Sequence, residues 1–214
     1  MKIGICGGTF DPFHRGHLEP VLAVRDAMEW ERILYIPASQ QPFKTHQGSA
    51  SGYHRFAMAV LATEGRDGIL VSPWELERAT VSFTVDTLES MRRQYPQDTL
   101  DWIVGDDNIA RLHEWRNLLR IFELANFTIL TRIADRGSSA FRALAAAPVL
   151  DGRVLEARKR GRAGGVVFAH NRIAEVSSTE IRRRVRAGEP IDSLVHPAVA
   201  RYIENNGLYR EEHS

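Results

Sequence analysis

Short apolar runs rich in isoleucine and valine alternate along the chain with stretches of helical periodicity, a pattern that predicts a parallel sheet. The first run, Lys2-Ile-Gly-Ile-Cys6, leads into a glycine-rich turn, and Leu18 to Met28 then sets Leu18, Val21, Leu22 and Arg25 at helical spacing. Ile33 to Ile36 reads as a second strand stopped by Pro37, and a long polar loop follows from Ala38 to Ser51. Loops of that length in an α/β unit are often functional lids. A helix over Phe56 to Leu61 and a third strand, Ile69 to Val71, come next. Ser82 is expected to cap a helix carrying Val85, Leu88 and Met91 on one face, ending near Pro96. A fourth strand, Leu100 to Val104, ends in Gly105-Asp106-Asp107, and Trp115 to Leu124 reads as helix before a fifth strand, Phe127 to Leu130. The stretch Asp135 to Gly165 has no clear period, Val166 to Ala169 resumes the sheet, and helices over Thr179–Ala187 and Ala198–Asn205 close the chain. The expected fold is a doubly wound, Rossmann-like α/β domain over residues 1–214, with 170–214 as a helical subregion. Ligands of such folds bind at the carboxyl ends of the strands.

The length of 214 residues suits one domain with a core that needs no covalent or metal staple. A single cysteine, Cys6, excludes an internal disulfide framework. No apolar run is long enough to span a membrane, and the chain turns polar by Gly7, too early for a signal peptide, so the expected location is the cytoplasm. Lysine and arginine total 28 against 27 acidic residues, a formal net charge of +1 that gives no global case for nucleic acid. Only Lys2, Lys44 and Lys159 are lysines.

The chemistry concentrates in Gly7-Gly-Thr-Phe-Asp-Pro-Phe-His-Arg-Gly-His17, between the first strand and the first helix. Gly7 and Gly8 would let backbone approach a ligand without an intervening Cβ. Gly16 and His17 fall at a helix start, where unpaired N–H groups and the helix dipole favour anions. His14 and His17 can point into the same space. The glycine spacing is not the dinucleotide fingerprint, and the P-loop lysine is absent. A zinc site would need a third ligand that no spacing indicates, whereas phosphate binding accounts for glycines and histidines together.

The segment Gly7 to Leu18 resembles the signature of the nucleotidyltransferase superfamily with the (His/Thr)-x-Gly-His motif, and its longer form is similar to that of the nicotinate-nucleotide adenylyltransferases of NAD biosynthesis. Further matches in the same order extend the resemblance over nearly the whole chain. They are Arg55 with Met58, Ser82-Phe-Thr84 before Val85-Asp-Thr-Leu88, Gly105-Asp-Asp107 with Trp115, Val176 to Arg182, and Tyr202-Ile203 with Gly207-Leu-Tyr209.

The resemblance implies that Gly7, Gly8, Thr9, Phe10, His14 and His17 bind ATP, with both histidines at the α-phosphate. It implies that Ser178, Thr179 and Arg182 face this turn across the nucleotide and hold triphosphate oxygens, Arg182 through a charge-assisted fork. Without it, Ser177 to Arg182 would read as an ordinary capped helix start. Gly105 and Asp107 match the family's Gly-x-Asp pattern for adenosine or ribose, while Asp106 is the variable position and reads equally as a solvated turn aspartate. Thr9, Lys44, Thr84, Trp115 and Arg132 are implied for the mononucleotide. An indole offers a flat face for a pyridine ring, and amides with a threonine offer donors for its carboxylate. Lys44 stands in Gln41-Pro-Phe-Lys44, where the family shows two prolines and a histidine before the lysine; Phe43 departs from that pattern.

The implied reaction is adenylyl transfer from ATP to nicotinate mononucleotide, with pyrophosphate leaving and His14, His17, Lys44 and Arg182 as the catalytic set. The attacking phosphate is already ionised, so positioning and charge neutralisation suffice. Mg²⁺ is expected to travel with ATP, held by phosphate oxygens and water rather than by a protein cage. The expected partners are ATP and a pyridine mononucleotide, with no nucleic acid and no membrane, and a homo-oligomer as a further option. Nicotinamide mononucleotide as substrate, a nucleotide-binding regulatory protein without catalysis, and a nucleic-acid module built on Arg153–Arg162 and Arg182–Arg186 are the competing readings. The last lacks an aromatic platform.

Overall fold

The computed structural model describes residues 1–39, 49–78, 80–131, 163–170 and 176–210, without the side chains of residues 107, 109, 110 and 170. Its strands are β1 (Lys2–Gly8), β2 (Arg32–Pro37), β3 (Ile69–Val71), β4 (Thr99–Gly105), β5 (Asn126–Thr131) and β6 (Val166–His170). They form one sheet in the order β3-β2-β1-β4-β5-β6, and every neighbouring pair is parallel. The helices are α1 (Arg15–Met28), α2 (Gly52–Thr63), α3 (Trp74–Arg78), α4 (Thr84–Gln94), α5 (Leu118–Leu124), α6 (Ser178–Arg186) and α7 (Pro197–Asn205), with a 3₁₀ segment over Asp106–Glu114. The chain winds outward from β1 in one direction to β3 and in the other to β6. The doubly wound expectation holds, and the strand order reverses between β1 and β4.

Both faces of the sheet are buried because successive side chains of a strand point to opposite sides. Ile3, Ile5, Leu34, Ile36, Trp102 and Val104 face a core shared with Leu88 and Met91 of α4 and Ile121 and Phe122 of α5. Ile33, Tyr35 and Ile103 face the other side, with Val21 and Val24 of α1, Met58 and Ala59 of α2, Ile181 of α6 and Val199 and Ile203 of α7. The two closing helices are therefore part of the second core.

Besides elements longer than expected, as in α2, three departures from expectation are instructive. The second strand includes Pro37. Phe83, not Ser82, stands at the N-cap of α4 and makes no side-chain cap bond; Ser82 Oγ instead accepts the Ser39 backbone N–H at 3.0 Å. A tertiary partner has displaced the local one. Trp115 does not lie in a helix. It follows the 3₁₀ segment in extended conformation, and Asn117, left-handed at φ 57°, separates it from α5. Asparagine tolerates that conformation better than most residues. The unpredicted α3 is only five residues long. Residues 40–48 and 132–162, which include most of the Asp135 to Gly165 stretch, lie outside the described residues.

Candidate active site

A cleft of about 790 Å³ opens at the carboxyl ends of β1 and β4, where the strand order reverses. That is the place at which open α/β sheets bind ligands. Gly7 to Asp11, His14, Gly16 and His17 line one wall, Ser178, Thr179 and Arg182 a second, and Thr84, Gly105, Asp106, Trp115 and Arg116 the rest.

The first wall is a rigid aromatic nest. Phe10, left-handed at φ 53°, turns its ring between Phe13, His17 and Tyr35 at centroid distances of 5.3, 5.0 and 5.8 Å. Tyr35 donates its hydroxyl to the His17 carbonyl at 3.0 Å, fixing the start of α1 from β2. His14 is the N-cap of α1, and its backbone N–H donates to His17 Nδ1 at 3.2 Å. Burial pushes the His14 imidazole down to about 4, so it is neutral at neutral pH. Among the described residues four side-chain atoms are buried without a hydrogen-bond partner, Thr9 Oγ1, His14 Nδ1, Trp102 Nε1 and Thr128 Oγ1, and the first three belong to residues that line the cleft. Unsatisfied polar atoms are rare in folded proteins and cluster where a ligand or function explains them.

The glycines act differently from expectation. A Cβ on Gly7 would lie 2.4 Å from the Trp102 ring, and one on Gly8 would lie 2.8 Å from the Phe10 ring. They make room for the protein's own aromatic groups rather than directly for a ligand. A Cβ on Gly16 would come within 3.1 Å of the His14 ring and 3.3 Å of the Val176 carbonyl, where the α1 and α6 turns meet.

Those two turns are joined directly. Ser178 Oγ donates to the Pro12 carbonyl at 3.2 Å, and Arg182 Nη1 donates to the Asp11 carbonyl at 2.6 Å. Ser177 is the residue that caps α6, accepting the Glu180 N–H at 3.2 Å, while Ser178 and Thr179 line the cleft. Arg183 and Arg184 pair with Glu180, and Arg183 also with Glu189.

Three residues that hold the walls together carry no motif label for such a task. Arg55, fully buried on α2, donates to the carbonyls of Thr9, Ala38, Ala50 and Ser39 at 2.6, 2.7, 3.2 and 3.3 Å. A charged residue on the apolar stripe of a helix was the available signal. Asp11 accepts from Ser49 Oγ at 2.7 Å, Ala50 N–H at 3.1 Å and Tyr209 hydroxyl at 2.6 Å. Glu75, buried and held above the usual carboxylate range by burial, accepts from Thr87 Oγ1 at 2.5 Å beside the Ser82–Thr84 wall. Asp11 lies within the Gly7–His17 segment but has no role there by sequence, and nothing local points to Glu75.

On the remaining wall, Thr84 opens α4 and the half-buried Trp115 packs on Phe127 at 6.1 Å. Arg116 lies 4.8 Å over the Phe83 ring, with Asp86 at 3.9 Å. Gly105 ends β4, and Asp107 sits in the first turn of the 3₁₀ segment. Asp106, taken from the sequence as the variable position, lines the cleft. Lys44 and Arg132 fall outside the described residues, as does Phe43. The structure thus brings together Gly7 to Phe10, His14, His17, Thr84, Gly105, Trp115, Ser178, Thr179 and Arg182 around one cleft.

The cytidylyltransferase-like family profile matches residues 5–184. A Gemmatimonas aurantiaca protein named "probable nicotinate-nucleotide adenylyltransferase" is 39% identical over 212 residues, covering 99% of this chain and 93% of its own. An Opitutus terrae protein of the same name is 36% identical, covering 98% of each chain. Among solved structures, a Plasmodium falciparum nicotinic acid mononucleotide adenylyltransferase complexed with NaAD superposes with a TM-score of 0.71 at 19% identity, over 97% of each chain.

Proposed function

The chain belongs to the cytidylyltransferase-like family and, within it, to the nicotinate-nucleotide adenylyltransferases, and from that membership we propose how its cleft works. The chain joins ATP and nicotinate mononucleotide into nicotinate adenine dinucleotide and pyrophosphate. An oxygen of the mononucleotide phosphate attacks the α-phosphorus of ATP in line. A new P–O bond forms as the bond to the bridging α–β oxygen breaks, and that oxygen leaves with the pyrophosphate. The nucleophile is an anion at neutral pH, so the protein supplies alignment and positive potential rather than a base.

One observation carries this reading: the α1 and α6 turns, 166 residues apart at the Ser178–Pro12 contact, meet at one cleft with His14, His17, Ser178, Thr179 and Arg182 on it. A triphosphate between them would meet helix-start N–H groups, two hydroxyls and a guanidinium. His14 and His17 then attend the α-phosphate, and Arg182 the departing pyrophosphate, with Lys44 and Arg132 as further cations for the phosphates. Thr84 and Trp115 receive the pyridine ring and its carboxylate, while Gly105 and Asp107 attend the adenosine. Among the described residues no three His, Cys, Asp or Glu side chains converge as a metal cage. Mg²⁺ is proposed to arrive on ATP, where it would supply positive charge to the phosphates. No helix among the described residues is long and apolar enough to cross a membrane; the cytoplasm is the location proposed.

The deciding experiment incubates the protein with ATP and Mg²⁺ plus either nicotinate or nicotinamide mononucleotide and measures pyrophosphate. Release with the nicotinate compound, faster than with the amide, is expected. Absence of release with both would overturn the reading.

A further inference from the structure

Arg182 reaches the cleft from the first turn of α6 with a quarter of its side chain exposed. A long cation in that setting has two fates. It can serve a bound phosphate, or it can collapse onto the nearest carboxylate as a bidentate pair. The nearest carboxylate is Asp11, which is buried. Yet Arg182 stops 3.7 Å from Asp11 Oδ2 and bonds the Asp11 backbone carbonyl instead, at 2.6 Å.

The cause lies on the far side of the carboxylate. Asp11 Oδ1 is occupied by the Tyr209 hydroxyl and the Ala50 N–H, and Oδ2 by Ser49 Oγ. Tyr209 comes from the other end of the described chain, 198 residues away. It follows Gly207, left-handed at φ 59°, and is itself left-handed at φ 62°. A non-glycine residue in that conformation costs on the order of 1 kcal/mol, and such strain clusters at functional sites. Leu208 N–H, bonded to the Ile203 carbonyl at 3.0 Å, pins the turn to α7.

We propose that Tyr209, acting through Asp11, is a positioning residue for Arg182: by holding Oδ1 together with the Ala50 N–H it fixes the carboxylate so that Oδ2 stays 3.7 Å from the guanidinium, which remains available to the phosphates of ATP. The inference rests on the proposed adenylyl transfer. It gives a task in the site to the Gly207-Leu-Tyr209 turn after α7, which the resemblance matches without a role.

Tyr209→Phe removes only the hydroxyl. The expected result is a fall in kcat of about tenfold, the size of one lost hydrogen bond to a charged group, with the KM for nicotinate mononucleotide unchanged. Asp11→Asn, which retains an acceptor for the Ala50 N–H but removes the charge that would trap Arg182, should restore much of that loss when combined with Tyr209→Phe. The decisive comparison places Tyr209→Phe in an Arg182→Ala background, where it should cost less than about twofold. If turnover there is too slow to compare, the affinity for α,β-methylene-ATP is read in the same four proteins. Equal losses in both backgrounds, or no loss on Tyr209→Phe alone, would overturn the inference. Failure of the unaltered chain to release pyrophosphate would instead strike the reaction, a separate outcome.

Discussion

The imidazoles of His14 and His17 lie face to face, their centroids 3.6 Å apart and their planes 19° from parallel. Two positive charges at about that separation repel by roughly 1 kcal/mol even in water and by several in a protein interior. Burial holds His14 neutral, so the stack accommodates one charge. His17, on the cleft and braced by the Phe10 and Phe13 rings, is the member placed to face a phosphate. His17→Ala should therefore lower kcat by at least a hundredfold, the range for losing one preorganised group at a developing charge. Thermal unfolding should stay within a few degrees of the unaltered chain. If the variant unfolds instead, the ring is a packing element.

Burial of His14 also sets a pH dependence of stability. The His14 pKa is depressed from 6.5 to about 4 in the folded chain, so the unfolded chain binds more protons between those values. Its contribution is complete above pH 6.5 and declines as the pH falls towards 4. Between pH 7.5 and 5 the loss from this one group is about 2 kcal/mol. Urea unfolding at both pH values should show that loss in the unaltered chain and not in His14→Asn. Parallel pH profiles would mean that His14 is solvated in solution.

The sheet was legible because a parallel strand buried on both faces must be apolar at nearly every position, as in Ile33 to Ile36, where all four residues are buried. Its cleft was legible because His14, Gly16 and His17 share one turn. What stayed hidden depends on contacts distant in sequence. Ser82 has the chemistry of a cap, but the Ser39 N–H, 43 residues away, competes for its hydroxyl. Gly7 looks like a ligand contact until Trp102 arrives from β4 across the strand switch. Asp11 acquires its task only when Ser49, Arg182 and Tyr209 converge on it.

The Gly7–Trp102 contact predicts a substitution effect separable from ordinary glycine strain. Gly7→Ala places a methyl 2.4 Å from a buried indole, so β1 or β4 must shift. Overpacking of this kind costs about 3 kcal/mol, and the displaced turn should lose activity as well. Gly65, left-handed at φ 72° with nothing within 4 Å of its Cβ position, supplies the control. Gly65→Ala should cost about 1 kcal/mol through backbone conformation alone, with kcat intact. Chemical denaturation and steady-state rates of the two variants check the contrast.

Arg55 predicts a failure of conservative replacement. Its planar guanidinium spans carbonyls of three separate segments: Thr9, Ala38 with Ser39, and Ala50. Burial pulls the Arg55 pKa below its ordinary value, offset in part by Asp11. A lysine ammonium keeps the charge but cannot reproduce the fork. Arg55→Lys should thus destabilise the chain by about 3 kcal/mol, two or more buried acceptors losing their donors. A denaturation midpoint within error of the unaltered chain would show that the segments hold without it.

Trp115 is the strongest test of where the pyridine ring lies. The residue is extended between the 3₁₀ segment and α5, and its indole is half-buried, leaning on Phe127 with another face on the cleft. An indole held on one side is preorganised for stacking on the other, which avoids the entropy of ordering a free side chain. Trp115→Ala should raise the KM for nicotinate mononucleotide about tenfold, as expected for loss of one aromatic stacking partner, and leave the KM for ATP unchanged. Trp115→Phe keeps a flat face and should recover most of the affinity. A fall in melting temperature with both KM values unaltered would assign the indole to the core and move the pyridine elsewhere in the cleft.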